Sequence, residues 1–481
     1  MKFKTYIPLL FAVAILVSSC KKSFLDEEPS TSIDASTAIK TENDLSDAIN
    51  GMYTAAKSYT LFGRDVPVLG DLLADNAYVS SSNSGRYTTE NAYTFIATSA
   101  EASDVWNQGY YTILQANRAI NCGLTSSTTV DQLRGEAYTM RALVYLQLIN
   151  FFGSPYTVDP TTAGVPIVTT PTYVTGPYVK PTRNTVAEVY QRIITDLDSA
   201  YTLMPASAIS SDFNSTNSNY IAKYAAKAIE SRAYLYMGDY ANARDAALLV
   251  VQNGGYTLAN TPAAFSSYWS SAVAGSSKLE TILELNNNTS SNNGTNGLDY
   301  MYHQEGYGDI LCTDELYNLY SATDNRKGLI LDDTRLSNGA QAYVVNKYPN
   351  VLETDRDELK LIRYAEVLLT LSESYARLGD EASAKTYLNQ LAVNRDASFT
   401  GYASSGTQLT TDILNERRKE LAFEGLRFFD LTRLKLVINR PVQADGYASY
   451  PVVSLTDFRR LQPIPQAEVD ANTNITQNPG Y

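Results

Sequence analysis

Two short segments of this chain repeat one another, and the distance between them restricts its possible folds more than any other feature. Around Gly238-Asp239, Ser231 and Tyr234 stand seven and four residues before the glycine and Ala243 five after it; around Gly379-Asp380 the same offsets hold Ser372, Tyr375 and Ala384. Small residues at such positions let two helices touch, an aromatic ring fills the gap beside them, and the glycine permits a tight reversal. Each segment therefore reads as a helix pair. The two glycines lie 379 − 238 = 141 residues apart, too far for tandem units. The pairs must be gathered from dispersed parts of the chain, with long insertions between them.

These offsets resemble the tetratricopeptide pattern, which implies a mostly α body of helix pairs in a right-handed superhelical scaffold. Other stretches agree with that class. Val186, Tyr190, Ile193, Leu197, Ala200 and Met204 recur at helical spacing until Pro205 stops them, and Ala137 to Phe152 reads as a helix ended by Gly153 and Pro155. The scaffold is expected over about 36–253 and 356–434, with an irregular tail at 435–481. Between its parts, about 254–355 is a loop-rich insertion with a strand-like Glu280 to Leu285 and then NNNTSSNNGTNG from Asn286 to Gly297. That run is too polar and glycine-rich for a core. Ser80 to Phe95 is a second irregular stretch.

The first 19 residues have the form of a leader. Lys2 and Lys4 precede nine apolar residues, Leu9 to Val17, and the small residues Ser18 and Ser19 lead to Cys20. A bilayer crossing needs about 20 apolar residues, so this segment reads as a cleaved signal. Its ending resembles a bacterial lipobox, which implies that Cys20 is acylated and that residues 20–35 form a lipidated linker. The body at 36–481 would then be held at a membrane by lipid alone, as a single domain.

Without Lys2 and Lys4, 36 of the 38 basic residues remain against 51 acidic ones. Such a balance disfavours nucleic acid, whose binding requires basic clusters. Beyond Cys20 only Cys122 and Cys312 remain, enough for one bridge and too few for a metal cluster. Tyrosine is the outlier at 36 residues. Its apolar face and hydroxylated edge suit ligands that are themselves half apolar and half hydroxylated.

Catalytic signatures are sparse. His303 is the only histidine, so a multi-histidine metal site is excluded, and neither a GxSxG elbow nor a P-loop occurs. Asp71 and Asp75, one helical turn apart, are the first carboxylate pair to suspect for glycoside hydrolysis. For ligand binding, the aromatic residues near the irregular loops are the candidates: Trp269, Tyr300, Tyr302 and Tyr87, with Asn76, Arg86 and His303 as polar neighbours. Tyr307 flanks the same loop. Glu416, Glu420 and Glu424 would repel one another at their spacing. Arg417, Arg427 and Arg433, with Asp430, are placed to complete a half-buried ion-pair lattice joining the last helices to the tail.

The segments ILNERRKELAFEGLRFFDLTRL (Ile413 to Leu434) and LQPIPQAEVDANTNITQNPGY (Leu461 to Tyr481) closely resemble signatures of the SusD/RagB-like outer-membrane nutrient-binding lipoproteins. So do Cys20 with Phe24-Leu25-Asp26 and Pro29, the set Trp106, Tyr110, Ile113 and Asn117, the stretch Glu136 to Tyr156 with Gly164-Val165-Pro166, and RYAEVLLTLSE from Arg363 to Glu373. The resemblance implies a non-catalytic protein; the sequence names no cofactor and no metal ligand, and it leaves calcium binding open. Its role would be to capture oligosaccharides at the cell surface and deliver them to a SusC-like TonB-dependent transporter. The same scaffold serving peptides or another nutrient, a surface hydrolase, and a purely protein-gripping scaffold are the alternatives.

Overall fold

The structure, a computed structural model, describes residues 36–173, 179–205, 220–270 and 280–481. The expected leader, Cys20 and the 20–35 linker lie outside the described residues. The body is mostly helical. Its scaffold begins with α1 (Glu42–Ala56), whose capping box has Thr41 N–H donating to the Asp44 carboxylate at 2.8 Å and Asp44 N–H to the Thr41 hydroxyl at 3.2 Å. The short α2 (Asp65–Leu72) follows, then α3 (Ala100–Ile120), α4 (Thr128–Phe152) and α5 (Val186–Leu203), which Thr185 and Glu188 cap in the same manner. Met204 leaves helical geometry just before Pro205, where the sequence places the stop.

The two repeated segments form α6 (Lys223–Met237) with α7 (Tyr240–Asn253), and, beyond α8 (Pro262–Ser270), α9 (Tyr364–Arg377) with α10 (Glu381–Arg395). Gly238 and Gly379 have φ of +76° and +87°, a conformation that costs an L side chain about 1 kcal/mol. Asp239 and Asp380 then cap the second helix of each pair, accepting from Asn242 N–H and Ser383 N–H. Ser372 and Ala384 are buried where the helices touch, the serine hydroxyl donating to the Ala384 carbonyl at 2.9 Å. Despite their separation in sequence, α7 packs directly on α9. The array therefore runs α1, α3, α4, α5, α6, α7, α9 through neighbours, and the insertion loops out between α7 and α9. Two further helices, α11 (Gly406–Glu420) and α12 (Arg427–Arg433), close the scaffold.

The strands are few and short. β1 (Ala77–Val79), β3 (Ile310–Cys312), β5 (Gln341–Val345) and β4 (Ile330–Thr334) form an antiparallel sheet in that order. β2 (Thr281–Leu285) pairs with β6 (Leu359–Arg363), and β7 (Ile438–Asn439) with β8 (Val452–Val453). β6 runs straight into α9, which fixes the exit of the insertion to the scaffold. One continuous apolar core extends from Leu45 through Trp269, Met301 and Val345 to Ile475. Cys122 and Cys312 are both free thiols, so the bridge that the composition allows is not made.

The ion-pair lattice exists, but it is fully buried and differs in its partners from the expected one. Glu420 accepts from Arg363 at 2.9 Å, Arg395 at 3.0 Å and Arg326 at 3.1 Å. Glu424, just past α11, pairs with Lys347 and Arg363, while Glu416 pairs with Arg326 and Lys419. Glu280 joins Arg363 and Arg395 from the other side. Arg417 and Arg433 instead hold Asp430, and Arg427 holds Asp75. The lattice therefore ties α11 to the insertion and to α10. The tail is held separately, by Asn478 donating to the Phe152 and Gln462 carbonyls and by Gln477 on Ile464.

Candidate functional site

The two irregular stretches, 80–95 and 286–308, come together on one face. Two tyrosines anchor the first of them. Tyr87 and Tyr93 have φ of +55° and +54°, strained for non-glycine residues, and each is buried with its hydroxyl donating inward, Tyr87 to the Asp65 carboxylate and Tyr93 to the Leu73 carbonyl. This pinning leaves the neighbouring Arg86 projecting at the surface. Its guanidinium lies 3.9 Å from the centre of the Tyr307 ring, donates to the Tyr307 hydroxyl at 3.1 Å and to the Ser84 hydroxyl at 2.8 Å.

Tyr307 in turn meets Tyr300 edge-on, ring centres 5.3 Å apart, and its N–H donates to the Tyr300 carbonyl at 2.7 Å. Gly306 makes this turn possible, since a Cβ there would lie 2.6 Å from the Tyr300 carbonyl oxygen. Arg356 lies 5.7 Å from the Tyr300 ring centre and is held by Asp299 at 2.7 Å. Burial raises the Asp299 pKa above the ordinary value, partly opposed by Arg356. Asp309, raised chiefly by burial, accepts from Ser84 N–H at 3.0 Å and so orients the Arg86 loop. His303 sits partly buried in the same turn, its Nδ1 3.8 Å from the Glu305 carboxylate. The face thus offers two half-buried rings, a guanidinium laid on one of them, and hydroxyl and imidazole groups at the edge. Aromatic faces bind the C–H faces of ring-shaped ligands, and the polar edge binds their hydroxyls.

Of the seven residues singled out for ligand binding, the structure gathers Arg86, Tyr300 and His303 here and places the other four in the interior. Tyr302 is 0% exposed, stacked on Tyr348 and against Phe423. Trp269, 3% exposed, is no free platform: Lys347, Lys360 and Arg363 lie 4.4, 5.1 and 5.0 Å from its ring centre. Lys347 and Arg363 belong to the buried lattice, so the indole serves as part of its apolar cover. Tyr87 is an anchor, as above. Asn76, 1% exposed, donates to Asp71 at 2.7 Å and accepts from Arg418 at 2.9 Å.

Tyr307, which the sequence marks only as flanking the loop, stands between Arg86 and Tyr300 in this face. Arg356, beside the Tyr300 ring, carried no signal in the sequence.

The suspected carboxylate pair is divided. Asp71 is fully buried in α2, accepting from Asn76 and from Gly425 N–H at 2.7 Å, and burial raises its pKa to about 6. Burial also acts to raise Asp75, which lies past the end of α2, but Arg427 and Arg418 more than offset it and hold the carboxylate below its ordinary range. One member is inaccessible and the other is locked in an ion pair, so they do not flank a common ligand position.

Comparison with known proteins settles the family. A family model described as starch-binding and associating with the outer membrane matches residues 23–235, and the SusD family model matches residues 340–481. The chain belongs to the SusD/RagB-like family. SusD-like protein P2 of Formosa agariphila is 27% identical over 98% of both chains. Among solved structures, a SusD superfamily protein from Bacteroides thetaiotaomicron is 28% identical with a TM-score of 0.80, and one from Bacteroides vulgatus is 26% identical with a TM-score of 0.81. Each solved structure is matched over its whole length and over 92% of this chain. This SusD-like chain therefore carries the family's mostly helical, tetratricopeptide-like architecture. No helix among its described residues is long and apolar enough to cross a membrane.

Proposed function

We propose that this SusD-like protein is a non-catalytic surface lipoprotein that binds oligosaccharides and passes them to a SusC-like TonB-dependent transporter. Cys20 is its lipid anchor after removal of residues 1–19, residues 20–35 are the linker, and residues 36–481 are the binding body. The observation that carries the reading is the Tyr300–Tyr307–Arg86 face, an aromatic and guanidinium surface built from loops on a rigid helical scaffold. The family model described as starch-binding supports the ligand class.

Magnitudes favour a composite face over any single ring. Covering roughly 60 Å² of apolar sugar surface yields about 1.5 kcal/mol. Micromolar affinity requires about 8 kcal/mol, so both rings and several hydrogen bonds must act together. Arg86, Tyr300, Tyr307 and His303 are the proposed contacts. Titration calorimetry of the body lacking residues 1–20 against a panel of oligosaccharides tests this. Heat with at least one glycan that vanishes in a Tyr300→Ala/Tyr307→Ala variant is expected. Binding of peptides with no heat from any glycan would replace the ligand class, and release of shortened glycan on long incubation would overturn the non-catalytic reading.

A further inference from the structure

A second cleft, of about 370 Å³, opens where α1 meets the asparagine-rich loop. Its volume falls in the range of about 300–1,000 Å³ typical of small-ligand sites. One wall is a stripe of α1 and its C-cap: Asn50, Tyr53, Thr54 and the capping Lys57 recur at the i, i+3, i+4, i+7 spacing of one helix face. The facing wall is the start of the loop after β2, with Asn286, Asn288 and Ser291. Lys57 clamps the two walls together, donating to the Ser291 carbonyl and hydroxyl, the latter at 2.6 Å. Tyr220 closes one side, its ring edge-on to Tyr53 at 5.6 Å.

The hydrogen-bond polarity of this cleft is fixed by its own backbone. Asn286 Oδ1 accepts from Asn288 N–H at 3.0 Å, and Asn288 Oδ1 accepts from the N–H groups of Ser290 and Ser291 at 3.1 and 3.0 Å. Backbone N–H groups only donate, so these bonds assign both amide orientations. Asn50 Oδ1 is likewise occupied, by the Tyr220 hydroxyl at 3.1 Å. The three side-chain NH₂ groups donate to no protein group among the described residues. Among the described residues, the only charge in the lining is Lys57, already engaged with Ser291, and no carboxylate lines the cleft. Three amide donors beside a contacting pair of tyrosine rings therefore suit an uncharged, oxygen-rich ligand with apolar faces.

We infer that this cleft is a second saccharide subsite, which takes one unit of a neutral glycan. The inference rests on the oligosaccharide reading above for its ligand class and adds a site that the Tyr300–Tyr307 face does not include. Asn50 and Thr54 are exposed, so both can be changed without entering the core.

The experiment uses saturation-transfer NMR and calorimetry with neutral trisaccharides of gluco, xylo, manno and galacto configuration. Three variants are compared: Thr54→Trp, which fills the cleft; Asn50→Ala, which removes one donor; and Tyr300→Ala/Tyr307→Ala. The wild type should show two independent components, Thr54→Trp should lose one, and the double variant the other. Asn50→Ala should weaken the cleft component by roughly threefold to tenfold, with an unchanged melting curve. Full retention of every component in Thr54→Trp and Asn50→Ala overturns the subsite and leaves the Tyr300–Tyr307 reading standing. Silence of all four trisaccharides with the wild type overturns the subsite as stated, and the larger oligosaccharide panel then decides the main reading separately.

Discussion

Replacing Glu420 by Gln tests the buried lattice that joins insertion and scaffold. The change keeps the volume and removes one negative charge. Glu420 is 2% exposed and receives Arg363, Arg395 and Arg326 within 3.1 Å, so three guanidiniums lose their shared counter-ion at once. Burial acts to raise the Glu420 pKa, yet Arg395, Arg363 and Arg326 hold it well below the carboxylate range. Breaking a buried pair from one side costs about 3–5 kcal/mol, because the orphaned charges cannot return to water. Glu280, Glu424 and Glu416 still neutralise the three arginines in part, which places the expected loss near the lower end, about 3 kcal/mol. Unfolding entropy of about 2.1 cal/mol/K per residue over roughly 450 residues amounts to ~1 kcal/mol per degree. Calorimetry should therefore show the midpoint falling by about 3 °C, a small shift for so large a local loss. Denaturant titration gives the free energy directly. A change below about 0.5 kcal/mol would refute the argument, since it would mean that water reaches the arginines and screens them as at a surface.

Further outcomes follow from other parts of the structure. Trp269→Ala, chosen against the expectation that this ring binds ligand, should cost about 3–5 kcal/mol by emptying the cover over Lys347 and Arg363, with glycan affinity unchanged in the folded fraction; urea titration and calorimetry check the two halves. Tyr307→Ala should weaken glycan binding roughly tenfold, from the loss of about 1.5 kcal/mol of covered ring, while leaving the melting temperature within a degree or two. Burial raises the Glu136 pKa to about 8, so the folded protein holds a proton there that the unfolded chain releases near pH 4. That group makes stability fall as pH rises from about 4 to about 8, and Glu136→Gln should flatten the profile over this interval, read from melting temperature against pH. Asp430 acts in the opposite sense. Burial acts to raise it, Arg417 and Arg433 pull it below the ordinary value, and its stabilisation is present above about pH 4 and lost as the pH falls through its folded pKa. Asp430→Asn should remove that acid-side component.

Much of the scaffold could be read from the chain because its signals are local. A glycine that must adopt positive φ, an aspartate that caps the next helix and two small residues at a crossing all lie within about a dozen positions, and Gly238-Asp239 and Gly379-Asp380 show them in full. The candidate site was legible only in part, because an exposed aromatic and a buried one carry the same signal in sequence. Tyr300 and Tyr302 are two residues apart in one short helix, so they point to different sides; one lines the surface and the other stacks on Tyr348 inside. Helical phase could have separated them had the five-residue helix Leu298–Tyr302 been recognised. Its polar, glycine-rich approach from Asn286 to Gly297 hid it.

The partners of the glutamates were harder still. Glu416 and Glu420 lie on one face of α11, so their mutual repulsion was evident, and the sequence nearby supplied arginines enough to relieve it. The arginines that do so come from elsewhere: Arg326 follows β3 in the insertion, Arg363 ends β6, and Arg395 ends α10. A local count of charges cannot anticipate this, because an interior ion pair is chosen by which elements pack together. Here the packing brings the insertion under α11, and the lattice ties the insertion, whose loops carry Tyr300, Tyr307 and the Asn286–Asn288 wall, to the helical body. If the lattice positions those loops, Glu420→Gln should loosen ligand binding as well as stability, although Glu420 touches neither proposed saccharide site. Hydrogen exchange of residues 286–308 would register that coupling: faster exchange in the variant supports it, and identical rates would show the loops to be held by their own contacts, such as Lys57 with Ser291 and Arg356 with Asp299.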